Sequence, residues 1–91
     1  MAIADNVKFV NGTASGSIKA TPGGLYGIIV NSHTSGTLKL WDNTSAAGTV
    51  LINTFTFPTG SGMYIFPMGI SFNIGLFATV GGTLDYTILY F

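Results

Sequence analysis

Turn chemistry recurs along this chain about every 8–12 residues, and no stretch between turns repeats its apolar residues at helical spacing. "TPGG" at 21–24, "HTSG" at 33–36, "NTSAAG" at 43–48, "PTGSG" at 58–62 and the pair Gly81–Gly82 place glycine, proline or small polar residues where a chain reverses. The runs between them are short and rich in β-branched and aromatic residues. "TLKLWD" alternates, with Leu38 and Leu40 on one face and Lys39 and Trp41 on the other. "TVLINTFTF" sets Val50, Ile52 and Thr54 against Leu51, Asn53, Phe55 and Phe57.

Counting "GSIKA", "LYGIIVNS", "TLKLWD", "TVLINTFTF", "MYIF", "GISFNI", "GLFATV" and "TLDYTILYF" predicts about eight strands. The expected fold is all-β: a single-domain β-sandwich of about eight short antiparallel strands over residues 16–91, jelly-roll-like. The spacing leaves an up-and-down or immunoglobulin-like order open. Two sheets about 10 Å apart would enclose Ile18, Leu38, Leu40, Val50, Ile52, Ile65, Phe72, Leu84, Tyr86 and Ile88. Residues 1–15 read as a polar N-terminal arm. At 91 residues the chain makes one domain with a modest core.

Charge narrows the function. Asp5, Lys8, Lys19, Lys39, Asp42 and Asp85 are the only charged side chains, the net charge is zero, and every residue between Asp42 and Asp85 is uncharged. Nothing in that balance attracts a phosphate backbone, and three scattered lysines make no basic groove, so no nucleic-acid partner is expected. "FPMGISFNIGLFATVGG" is apolar but broken by Pro67, Ser71, Asn73, Thr79 and glycines, so no spanning helix is expected. The chain is too short for a membrane barrel. "MAIADNVKFVNG" lacks the basic and apolar regions of a signal peptide. With no cysteine, there is no disulfide framework, thiolate metal site or cysteine nucleophile.

Catalytic readings fail for want of partners. His33 is the only histidine and sits in a turn, whereas a metal site wants three or four ligands and a general base wants an orienting group. A glycosidase would need two carboxylates about 5–10 Å apart. Here Asp42 ends a strand, where an Asx turn is its ordinary role, and Asp85 marks a solvent face. "TGSGMY" runs into a strand with no lysine after it, so it is a hairpin turn and not a phosphate loop. "NGT" at 11–13 and "NTS" at 43–45 match the glycosylation pattern, at the rate expected of a chain rich in asparagine and threonine. No enzyme, cofactor or metal is expected.

The terminal "TLDYTILYF" is apolar on nearly both faces. If Lys39 and Asp85 point outward, period two turns Trp41, Leu89 and Phe91 outward too. Aromatics bury about 150–250 Å² each, so Trp41 and Phe91 together approach the largest apolar patch a monomer tolerates, about 300–600 Å². The expected interface is therefore Trp41, Leu89, Tyr90 and Phe91, with another subunit against the outer side of the last strand. Sugar binding at Trp41 is the alternative from another class.

"GGLYGIIVNSHTSGTLKLWDNTSAAGTVLINTFTF" followed by "GISFNIGLFATVGGTLDYTILYF" resembles the small virion proteins of tailed bacteriophages, over residues 23–91. The shared pattern is a strand ending in an aromatic and Asp, a small-residue loop, and a final "GL-x-x-x-V-x-G-T" segment leading into a strand. Many members of that group end on a basic residue where this chain has Phe91. The resemblance implies a head decoration or cement protein on the capsid surface. Its partners would be the major capsid protein and itself, as a trimer. The arm would carry Ile3, Val7 and Phe9 to the capsid. A tail or fibre component is the alternative within the particle.

Overall fold

The structure is a computed structural model that describes residues 7–58 and 60–91. Six antiparallel strands form one sheet: β1 (Lys8–Gly12), β2 (Gly16–Lys19), β3 (Gly23–Asp42), β4 (Thr49–Thr56), β5 (Gly62–Phe72) and β6 (Leu76–Tyr90). The fold is all-β, as the turn spacing predicts. The count differs from about eight because three expected pairs fuse. "LYGIIVNS" and "TLKLWD" join as β3, "MYIF" and "GISFNI" as β5, and "GLFATV" and "TLDYTILYF" as β6. A sixth strand, β1, lies inside the expected arm 1–15, whose boundary is thereby corrected. Lys8 to Gly12 pair with β6 from Tyr90 to Tyr86, while residues 1–6 lie outside the described residues.

"HTSG" and Gly81–Gly82 look like strand breakers, yet both lie within strands because β3 and β6 run beside each other through a shared bend. Their ladder extends from Leu25↔Tyr90 to Trp41↔Phe77, with register shifts at Val30/Ser32 and Thr34/Thr37. Ser35 (φ 52°) and Gly82 (φ 66°) take left-handed backbone there, which lets each strand turn without ending. The bend is required by size. Twenty residues of straight strand would span roughly 65 Å, but the molecule measures 35 × 32 × 17 Å.

The bend divides the sheet into two arms. In the first, β1 and β5 flank the halves of β6 and β3 that pair Gly27 with Leu89. In the second, β2 and β4 flank the halves that pair Leu40 with Ala78. Buried side chains of both arms form one core: Leu25, Ile28, Val30, Leu38, Leu40, Phe57, Phe72, Leu76, Ala78, Leu84, Tyr86 and Ile88. Where β4 hands over to β5, an aromatic cluster links the arms. Phe55 stacks edge-on to Phe57 at 4.6 Å and to Tyr64 at 6.0 Å between ring centroids.

Six of the ten expected core residues are buried: Leu38, Leu40, Phe72, Leu84, Tyr86 and Ile88. Ile18 and Ile52 pack partly against them. Val50 and Ile65 do not belong to the core and are exposed. The cause is register. β4 is shifted twice against β3, so Leu38 faces Phe55, Leu40 faces Ile52 and outward Trp41 faces Val50. The Asn53 side chain accepts the Thr54 N–H at 2.9 Å within the first of these bulges, which puts Ile52 and Phe55 on one face against strict alternation. Ile65 lies opposite Gly27 on the outer face.

Candidate interaction surface

Outward positions of the first arm line up in two rows across four strands. One row is Phe9, Leu89, Gly27, Ile65 and the other is Asn11, Thr87, Ile29, Met63. A β-carbon at Gly27 would come within 2.7 Å of Ile65 Cδ1 and 3.5 Å of Leu89 Cδ1, so these two side chains lean together over the glycine and leave a filled surface. Phe91 extends the face. Gly24 donates to its carbonyl at 2.7 Å, and its own N–H donates to the Gly24 carbonyl at 2.9 Å. Its ring lies over Gly24 and Gly69, where a β-carbon would come within 2.7 and 2.8 Å. Beside the ring, Met68 borders a shallow recess of 360 Å³ with Gly23, Gly24, Gly69 and Ser71.

Exposure concentrates on this face. Seven large apolar side chains are exposed among the described residues, and five of them are here: Phe9 (66%), Met63 (63%), Ile65 (38%), Met68 (94%) and Phe91 (38%). Leu89 and Ile29 between them are half-buried. A polar corner adjoins, where Thr87 Oγ1 donates to Asn11 Oδ1 at 2.5 Å and the Asn31 amide donates to Asp85 Oδ1 and Thr87 Oγ1 at 3.2 Å each. Neither row carries a charged side chain, and Asp85 is the one at this corner.

The expected interface residues are only partly brought together. Leu89 and Phe91 lie on the apolar face, and Phe9 joins them from β1 instead of from an arm. Val7 is half-buried just before β1, and Ile3 lies outside the described residues. Tyr90 is corrected to the inner side, opposite Leu25 and packed against the core. Trp41 is corrected as well. It sits in the second arm opposite Phe77, twelve residues along β6 from Leu89, and does not join the patch. Its indole N–H donates to Thr79 Oγ1 at 3.0 Å, and the Lys39 ammonium stands 4.3 Å from its ring centroid, covering a face that a sugar would need. Sequence reasoning missed Ile29, Met63 and Met68, and assigned Ile65 to the core. For Ile29 the signal was the unbroken run Ile28–Ile29–Val30, too apolar for a strand with one wet face.

The remaining polar candidates serve the fold. His33 bridges two turns: its Nδ1 accepts the Gly36 N–H at 3.0 Å, so the proton sits on Nε2, which donates to the Pro58 carbonyl at 2.5 Å. Asp42 is buried, 7% exposed. It does not make the expected local Asx turn. Its carboxylate accepts the N–H groups of Asn73 (2.9 and 3.0 Å) and Ile74 (2.8 Å) across the molecule. The Asn73 bond, then that of Ile74, holds its pKa below the ordinary 3.8, against the opposing effect of burial. No group of three or more His, Cys, Asp or Glu side chains gathers among the described residues, and no helix there is long and apolar enough to cross a membrane. Compared with known proteins, the chain matches no family model, no curated protein and no solved structure.

Proposed function

We propose that this chain is a non-enzymatic structural component of a bacteriophage particle, a decoration or cement protein on the outer surface of the head that ties neighbouring major capsid subunits together. One observation carries the reading: five exposed apolar side chains share a nearly uncharged sheet face. Such a face is a liability on a free monomer and an asset on a lattice, where apolar burial yields about 25 cal/mol per Å². Zero net charge supports crowding of identical copies, since neighbours do not repel. Modest contacts repeated over a lattice multiply into firm attachment. In the same reading the two arms are the layers of a jelly-roll-like sandwich.

Counting the polypeptide in purified particles before and after a chaotrope wash tests this. The expected result is on the order of hundreds of copies per particle, shed together with the loss of capsid robustness. A handful of copies would move the chain to the tail or fibre, and none would end the reading.

A further inference from the structure

We infer that the apolar face of the first arm is covered by the same face of a second copy of this chain, in an isologous two-fold contact. The inference rests on the reading above that this face is an interface, and adds what occupies it. Size comes first. Strands about 4.8 Å apart, over some eight residues of β3, β5 and β6 and the five of β1 at 3.3 Å each, make a face of roughly 450 Å². Two such faces bury on the order of 900 Å², the size of a weak, reversible contact.

Chemistry selects the occupant. Its surface must be apolar opposite Phe9, Leu89, Ile29, Met63 and Ile65, and must not bring charge. The face offers little counter-charge: Asp85, which the Asn31 amide already engages, and at its margin the Lys19 ammonium beside Gly23 and the Phe91 carbonyl. The polar corner is self-complementary, because Asn11, Asn31 and Thr87 each carry both donor and acceptor atoms. A flat, neutral, apolar sheet face with an amide corner answers this description, and that is the face itself. The lean of Ile65 and Leu89 over Gly27 supplies the flatness that packing sheets about 10 Å apart requires. A two-fold axis brings the patch against itself with no second complementary surface.

Sedimentation equilibrium of the free 91-residue chain at about 50 μM is the test, since a contact at the small end of the size range calls for a high protein concentration. The expected mass is twice the 9.5 kDa of the chain. Met63→Lys and Phe9→Lys are each expected to raise the dissociation constant at least 100-fold with an unchanged far-UV circular dichroism spectrum. Ile74→Lys, at an exposed apolar site beyond β5 and off this face, leaves the pair intact. A monomer, a trimer such as the resemblance implies, or a pair indifferent to Met63→Lys and Phe9→Lys each overturns the inference. The particle reading fails separately: a wild-type monomer that still decorates heads sinks only the pair, and a stable pair that never binds heads sinks only the decoration role.

Discussion

Asp42 ends β3 yet holds a turn 31 residues downstream, by accepting the N–H groups of Asn73 and Ile74. Because its folded pKa is lowered, the stability it contributes is complete above the ordinary 3.8 and is lost as pH falls through the lower folded value. Asp42→Asn should therefore cost about 1.5–3 kcal/mol at neutral pH, the range for bonds to a charged group, and should flatten the stability curve below pH 3.8. Urea unfolding between pH 2 and 7 measures both. Tyr86 shows the same economy in the core, where its hydroxyl donates to the Ala14 carbonyl at 2.9 Å and burial raises its pKa. Tyr86→Phe strands that carbonyl and should lower stability by about 1 kcal/mol, a drop in Tm of roughly 4–8 °C. Neither partner was legible in the sequence. Hydrogen bonds between residues 31 and 72 positions apart leave no local signature.

The two long strands are the elements that matter most. β3 and β6 are paired on both edges through most of their length, whereas β1, β2, β4 and β5 each pair on one edge among the described residues. Hydrogen exchange should report this directly, with amides of Ile28, Leu40, Ala78 and Ile88 the slowest and those of β1 and β2 exchanging well before them. β5 has its own point of failure at Gly69, whose φ of +75° and contact with the Phe91 ring both exclude a side chain. Gly69→Ala should cost about 1–3 kcal/mol by thermal melting, through left-handed strain and displacement of that ring. The alternation of "TLKLWD" was read correctly because β3 is regular there. That of "TVLINTFTF" failed at Ile52, Phe55 and Val50, because an inserted residue changes which side faces the core without changing composition.

Over the whole molecule, the dominant pairing joins residues far apart in sequence, such as Leu25 with Tyr90. Folding should therefore take milliseconds to seconds, as for other domains built on non-local sheet pairing, and stopped-flow fluorescence of Trp41 measures it. The apolar face belongs to this scale too, since β1, β6, β3 and β5 each contribute one to three side chains and no strand carries the patch alone. Its exposure, and the rarity of charge elsewhere, frame the particle reading and the self-pairing test.

The amino-acid sequence by itself determined the all-β class, the inward Leu38–Leu40 face and the shortage of charge, because alternation, turn residues and composition are local properties. Tertiary structure alone decided that two apparent turns are bends inside long strands, that Val50 and Ile65 face outward, and that Phe9, Met63, Ile65 and Phe91 share one surface while Trp41 stands apart. Those outcomes depend on register between strands. Register is set by bulges and by partners many residues away, which no window of the chain contains.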